Sequence, residues 1–236
     1  TYQYREQHAH WIEKGLAACD RAQALDAQLA EAHAARAWLS YAQKNYDEAV
    51  RFAHLAIERK PDCEGAYEVL GRAYFSSGRF QEAAELAERA ISANEDDYNV
   101  YIPYINALRR MEHGDVVRRL QQGQVRVLER QLERVPEDVR ARILLASNYA
   151  DHGSESDAIR HLQTAVALRP SDSNVLYNAA CTYAQLQKKA DALEMLRRAI
   201  DSGYQRLEWA RRDPDLASLQ DEPEFQRLVS PEPAGK

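Results

Sequence analysis

The sequence predicts an all-α chain of stacked helical hairpins, and three observations carry that prediction. First, Ala49, Ala83, Ala158 and Ala192 occupy the same place in a recurring two-helix pattern, at intervals of 34, 75 and 34 residues. The middle interval is two 34-residue units plus seven extra residues. A fixed period of this size marks a repeat array, in which each unit buries its apolar face against its neighbours. Second, helix breakers are scarce, with 9 Gly and 8 Pro in 236 residues, while Ala, Leu, Glu, Arg and Gln are abundant. Third, apolar residues recur at helical spacing along each segment.

The elements are taken in chain order. A partial unit occupies the region near 1–29, where Cys19, Ala22 and Leu25 fit the end of a second helix. The unit 30–63 keeps Ala37, Tyr46, Ala49, Ala56 and Pro61. The clearest unit is 64–97. Its first helix carries Tyr67, Leu70, Gly71 and Tyr74 on one stripe. Ser76-Ser77-Gly78-Arg79 then breaks the helix, with Gly78 suited to a left-handed C-terminal position. The second helix carries Phe80, Ala83, Ala87, Ala90 and Ile91. Gly71, Ala83 and Ala90 are small where two antiparallel helices cross, and a bulky side chain there would wedge the hairpin apart.

This pattern resembles the tetratricopeptide repeat. The residues carrying the resemblance in the clearest unit are Leu70-Gly71, Tyr74, Gly78, Phe80, Ala83 and Ala90. In 139–172 they are Leu145-Ala146, Tyr149, Gly153, Ala158, Ala165 and the closing Pro170. In 173–205 they are Ala179-Ala180, Tyr183, Ala192, Leu196 and Ala199. The expected fold is an all-α, right-handed solenoid of about five to six hairpins with a short C-terminal helical cap.

The unit 98–138 departs from the pattern. Pro103 must occupy the first turn of its helix or kink it. The stretch from Asp115 to Arg134 runs about two helical turns longer than its counterparts and keeps Val117, Leu120, Leu128 and Leu132 on one stripe. A tolerated insertion is the favoured reading of that length, ahead of a flange that contacts a partner. Beyond 205 the pattern changes to a cap over 206–229, with Trp209, Leu216, Leu219, Phe225 and Leu228 as apolar anchors. Asp213-Pro214 and Glu222-Pro223 each read as a helix start. Residues 230–236 are expected to be disordered.

Tyr177-Asn178-Ala179-Ala180-Cys181, followed by Gly203-Tyr204, Trp209 and Asp213-Pro214-Asp215-Leu216, is more specific than the repeat itself. It is similar to the closing segment of C-terminal repeat arrays in bacterial signalling proteins, where the array is fused to adenylyl-cyclase-like or serine/threonine-kinase domains. The resemblance implies an accessory or sensing module. The chain begins at Thr1 and is expected to be an excised part of a longer protein.

Composition excludes several functions. Net charge is −6 and the pI about 5.7, so nucleic acid is not the expected partner. The basic cluster Arg109, Arg110, Arg118 and Arg119 reads as a solvated helix face. No run approaches the ~18 apolar residues of a membrane span. Cys19, Cys63 and Cys181 have no zinc or disulfide spacing, and a reducing, cytoplasmic setting fits them best. Gly-rich phosphate loops and His-Glu-x-x-His are absent. His8 and His10 point to different faces of a helix, a poor arrangement for chelation. Asp47-Glu48, Asp96-Asp97 and Asp213/Asp215 read as helix-start carboxylates. Neither an enzyme nor a cofactor or metal site is expected.

The expected site is therefore the groove. In tetratricopeptide arrays the first helix of each hairpin lines the concave side, which by register places Trp38, Tyr41, Arg72, Phe75, Asn106 and Arg109 there. Ile143, Ser147, Asn174, Tyr177 and Cys181 are the register equivalents in later units. Aromatic and Arg side chains are the composition of binding hot spots. Arg72 and Arg109 suit a carboxylate, and Asn106 suits an extended peptide backbone. A Lys/Asn carboxylate clamp for chaperone tails is missing, since its places hold Ala34, Trp38, Glu68 and Arg72. A protein or peptide partner in the groove is the first expectation. The second is a homo-oligomer formed through the long helix 115–134.

Overall fold

The computed structural model describes residues 9–230. Of the tail expected to be disordered over 230–236, residues 231–236 lie outside the described residues, as does His8. The described chain is helical throughout and divides into two compact units at Val127/Leu128. The first holds α1 (Ala9–Leu25), then three hairpins: α2 (Ala30–Ala42) with α3 (Tyr46–Arg59), α4 (Ala66–Ser76) with α5 (Phe80–Ala93), and α6 (Tyr101–Arg110) with α7 (Gly114–Arg134). The unit boundary falls inside α7. The second holds α8 (Val139–Asp151) with α9 (Glu155–Leu168) and α10 (Ser173–Gln185) with α11 (Lys189–Asp201). A closing segment comes last, made of α12 (Leu207–Ala210), a 3-10 helix (Pro214–Leu219) and α13 (Pro223–Val229).

One turn design closes every hairpin. The amides of Asn45, Arg79, His113, Ser154 and Lys188 donate to the carbonyls of Ser40, Tyr74, Leu108, Tyr149 and Tyr183, at 2.8–3.0 Å. These are the bonds of a Schellman turn, which satisfies the orphan carbonyls of the first helix and needs a left-handed residue just before the donor. That residue is Gly78 or Gly153 in two turns, at φ 78° and 76°. Lys44, Glu112 and Gln187 fill it in the others, at φ 60–63°, a conformation that costs a residue with a Cβ about 1 kcal/mol. First helices α8 and α10 start on aspartate caps: Asp138 accepts from the Ala141 amide and Asp172 from those of Asn174 and Val175.

Small residues set the helix spacing. Ala49, Ala53, Ala56, Ala83, Ala90, Ala158, Ala165, Ala192 and Ala199 are all fully enclosed. Gly71 lets α4 approach α6 so closely that an added Cβ would sit 2.9 Å from Pro103 and from the Tyr104 ring. Tyr104 in turn donates its hydroxyl to the Tyr67 carbonyl at 2.8 Å. Pro103 is the third residue of α6, a first-turn position where no intrahelical amide is lost. The long α7 has 21 residues against 13–14 for α3, α5, α9 and α11. Of its expected stripe, Val117, Leu120 and Leu128 are buried while Leu132 is only partly so, and Val127 is buried as well. Gln124 Nε2 donates to the Tyr98 carbonyl at 2.9 Å, and Gly123 lies against the Tyr101 ring.

In the closing segment, Leu216, Leu219 and Phe225 are buried and Leu228 is partly buried against the second unit's core. Trp209 is not an anchor as expected from sequence. It is 53% exposed, because α12 is a single turn that buries Ala210 instead. Pro214 and Pro223 each occupy an early position of their helices.

Candidate functional site

In the first unit, three of the six expected binding residues, Trp38, Tyr41 and Arg72, come together, and Phe75 lies one turn further along α4. Trp38 on α2 meets Tyr41 edge-on, with ring centroids 6.0 Å apart. The Arg72 guanidinium of α4 lies over the Trp38 ring at 5.8 Å, and the Trp38 Nε1 comes within 3.1 Å of where a Cβ on Gly65 would be. The left-handed Gly65 at the start of α4 thus makes room for the indole edge. Tyr41 Oη and Ser76 Oγ are 3.2 Å apart, linking α2 to the end of α4. Phe75 packs on Phe80 across the turn, with centroids 5.5 Å apart. Trp38, Tyr41, Arg72 and Phe75 all stay partly exposed, leaving a surface of ring edges bordered by polar atoms.

Arg72 differs from the sequence expectation in one respect. Its Nη2 and Nε bond Glu68 Oε1 at 2.8 and 2.9 Å within the same helix. The i,i+4 spacing puts the two side chains on one face, so a ligand carboxylate would compete with Glu68 for the guanidinium. Asn106 is partly exposed and Arg109 exposed, on α6. α6 packs on α4 through Gly71, Pro103 and Tyr104, so Asn106 and Arg109 belong to the next first helix of the same unit.

The second unit treats the equivalent face differently. Tyr177 and Cys181 are 6% and 7% exposed, not groove-lining, because the closing segment covers them. The Tyr177 hydroxyl donates to Asp213 Oδ2 at 2.7 Å, and the Cys181 thiol is 3.9 Å from the same oxygen. Asp213 Oδ1 accepts the Asp215 amide at 3.0 Å, capping the 3-10 helix. The Tyr204 ring stacks on Tyr177 at 4.1 Å with 9° between planes. Gln185 Nε2 donates to Asp215 Oδ1 at 2.9 Å. Burial, together with the nearby Asp213 and Asp215, pushes the Cys181 thiol well above its ordinary pKa. Burial, reinforced by Cys181 and the bond to Asp213, does the same to the Tyr177 hydroxyl. Sequence spacing expected no ligating cluster, yet Cys181, Asp213 and Asp215 come together here. The signal was present in the closing-segment pattern, but only the tertiary fold shows that its parts meet.

Paired helices closed by one repeated turn, with small residues at each crossing, define a tetratricopeptide-repeat protein. Family models described as tetratricopeptide repeat match residues 40–102 and 143–205, together more than half of the chain. The chain belongs to that family, whose members are interaction scaffolds that bind protein or peptide partners.

A chloroplastic protein of Arabidopsis thaliana is 25% identical over 157 residues, covering 65% of this chain and 42% of the relative. The mitochondrial ALBINO3-like protein 3 of the same plant is 27% identical over 142 residues, covering 55% and 25%. The chain thus spans less than half the length of these relatives. Among solved structures, a thermophilic tetratricopeptide-repeat protein of Thermus thermophilus is similar at TM-score 0.58 and 18% identity. That match covers 78% of this chain and 95% of the other. A tetratricopeptide repeat protein from Parabacteroides merdae gives TM-score 0.56 and 14% identity, covering 89% and 78%. Among the described residues, no helix is long and apolar enough to cross a membrane.

Proposed function

We propose that this chain is a non-enzymatic scaffold module that binds a protein or peptide segment on the first-helix face of α2, α4 and α6. The observation that carries the reading is the partly exposed cluster of Trp38, Tyr41 and Arg72, with Phe75 partly exposed one turn further along α4. Ring edges supply apolar anchors at small entropic cost, since an aromatic side chain has only two rotatable bonds. The Glu68–Arg72 pair orients rather than anchors. Its acceptor and donors are held in fixed directions, suited to the polar atoms of a bound backbone. Asn106 and Arg109 extend that polar edge onto α6.

The wider setting is also a proposal: an accessory module of a larger bacterial signalling protein, working in the cytoplasm. It rests on the closing-segment pattern and on cysteines that all remain free thiols. Self-association through α7 has less support, since its buried stripe is already used and its outer positions, such as Arg118, Arg119, Arg126 and Arg130, are charged.

The test is affinity capture from the source cytoplasm with wild type and a Trp38→Ala/Arg72→Ala double variant matched for thermal stability. A partner held by wild type and lost by the variant supports the reading; equal capture by both contradicts it.

A further inference from the structure

In a complete hairpin the second helix lies between two first helices, its own and the next one along the chain. On one side of α3, His54 Nε2 and the Tyr74 hydroxyl of the following α4 are 3.0 Å apart. On the other side, the Phe52 ring stacks on His33 of its own first helix, α2, with centroids 6.2 Å apart, and Ser40 Oγ of α2 donates to Glu48 Oε2 at 3.2 Å. α1 lies one 34-residue period before α3 and is a second helix by the same register. Its side towards the following first helix is filled, since Gly15 abuts Leu39 of α2, Gln23 bonds His33 at 3.0 Å and Asp20 pairs with Arg36. The other side is open. Ala18, the counterpart of the buried Phe52, is exposed, and Trp11 and Leu25 are 48% and 91% exposed. Trp11, Ala18 and Leu25 follow one another at about two helical turns and so share one face of α1.

Shape, charge and connection define what fits this face. By shape it takes a helix: the register position of Ala18 meets one in other hairpins, through Phe52 on α2 and through His161 of α9 against Tyr149 of α8, with centroids 5.7 Å apart in the second case. A helix laid on α1 finds Trp11 and Leu25 as anchors and, at Ala18, room for a large apolar residue of its own. The charge is distinctive. Lys14 holds the place that Glu48, Glu82, Asp157 and Asp191 hold in α3, α5, α9 and α11, and Arg21 holds that of Leu55. In α3 this edge reaches the covering helix, through Glu48 and Ser40. Lys14 and Arg21 are exposed and, among the described residues, neither pairs with a carboxylate; Lys14 Nζ lies 5.1 Å from the Trp11 ring centroid. Glu13 and Asp20 occupy a different side of the helix, and Asp20 is taken by Arg36. The open edge is therefore basic, and an acidic one complements it. Two α1 helices packed antiparallel would set Lys14 of one against Arg21 of the other, which disfavours a second copy. As to connection, α1 stays helical through Ala9, His10 and Trp11, where α2 and α3 are joined by a turn with Lys44 left-handed. The usual hairpin turn is thus not what brings a helix to this face.

We propose that the open face of α1 is a second docking surface and that its occupant is an acidic amphipathic helix of a partner protein, seated as α2 is seated on α3. Trp11 and Leu25 supply the apolar contact, and Lys14 and Arg21 select the charge of the partner. These two cations are also about two turns apart on α1, so carboxylates at that spacing along the partner helix meet both. The surface uses none of the residues proposed above for the first-helix face of α2, α4 and α6.

The experiment measures, by fluorescence anisotropy, binding of two synthetic stapled helices of about five turns to the full chain. Both carry a Leu/Ala stripe; one is flanked by Glu and the other by Lys. Wild type should bind the Glu-flanked helix about tenfold or more tighter than the Lys-flanked one. Lys14→Glu/Arg21→Glu should reverse that preference, and Trp11→Ala/Leu25→Ala should lose about tenfold or more in affinity for the Glu-flanked helix. All these positions are exposed, so both variants should keep the wild-type thermal midpoint. Trp38→Ala/Arg72→Ala should bind the Glu-flanked helix as wild type does. Equal binding of the two helices to wild type, no binding of either, or binding unchanged in Trp11→Ala/Leu25→Ala would overturn the proposal. So would sedimentation showing a dimer that Trp11→Ala/Leu25→Ala converts to monomer, since a second copy would then be the occupant.

Discussion

Eleven residues before the repeated alanine, α2 carries Trp38, α4 carries Arg72 and α10 carries Cys181. These are equivalent places on the first helix of a hairpin, yet the two units use them in opposite ways. In the first unit Trp38 and Arg72 stack on each other and remain partly open to solvent. In the second, Cys181 is enclosed beneath Asp213 and the 3-10 helix. The same backbone position is thus left partly open or becomes an internal joint according to the next element in the chain. In α2 and α4, each followed by another hairpin, that position stays partly exposed. The final hairpin instead receives the closing segment, whose Leu216, Leu219 and Phe225 pack into one core with the last hairpin and cover a face that an end repeat would otherwise leave exposed.

If Asp213 seals the second unit, removing it should have the largest effect. Asp213→Ala takes the acceptor from the Tyr177 hydroxyl and the cap from the 3-10 helix, at an expected cost of about 3 kcal/mol. Denaturant unfolding reads the loss, and Cys181 should become reactive towards thiol reagents in the native state. Next comes Gly71→Ala, where the added Cβ meets Pro103 and Tyr104. Overpacking should cost about 1–3 kcal/mol, and because α4 carries Arg72 and Phe75, partner affinity should fall with stability. Trp38→Ala gives the sharpest contrast with these two. Its thermal midpoint should fall less than that of Asp213→Ala, while partner binding is lost.

Acid should affect both units. Burial lowers the pKa of His54, whose Nε2 bonds the Tyr74 hydroxyl at 3.0 Å. It also lowers that of His161, beside Tyr149. A histidine with a depressed folded pKa is held neutral by the fold but takes a proton when unfolded. Its stabilising contribution is therefore complete above the unfolded value of about 6.5 and is lost as pH falls through the folded one. The thermal midpoint should drop as pH is lowered below 6.5, with a smaller drop in a His54→Asn/His161→Asn variant. The smallest effect is expected at the turns. Glu112→Gly relieves a left-handed residue, offset by greater freedom of the unfolded chain, for a net gain of about 0.5 kcal/mol by calorimetry.

The repeated alanines and the Gly78 and Gly153 turns made the helical hairpins legible, because packing distance and left-handed turns restrict residue choice strongly. The turns at Lys44, Glu112 and Gln187 were not legible, since the tertiary fold holds ordinary residues in a conformation that local preference disfavours. Register was enough to put Trp38, Tyr41, Arg72 and Phe75 on the first helices of neighbouring hairpins. It was not enough to show that Arg72 is engaged by Glu68 or that Tyr177 and Cys181 are covered. The first depends on rotamers and the second on a contact 36 residues away in sequence, between Tyr177 and Asp213. Trp209 misled for a related reason: large apolar residues are usually anchors, but a single-turn helix has room to bury only one side, and here that side is Ala210.

The central claim is that recognition belongs to the open face of the first unit and not to the covered face of the second. It is tested most directly by measuring the affinity of the captured partner for wild type, for Trp38→Ala/Arg72→Ala and for Tyr177→Phe. The account predicts that the double variant loses binding while Tyr177→Phe, altered only beneath the closing segment, binds as wild type does. Normal binding by the double variant together with loss in Tyr177→Phe would contradict it and move recognition to the second unit.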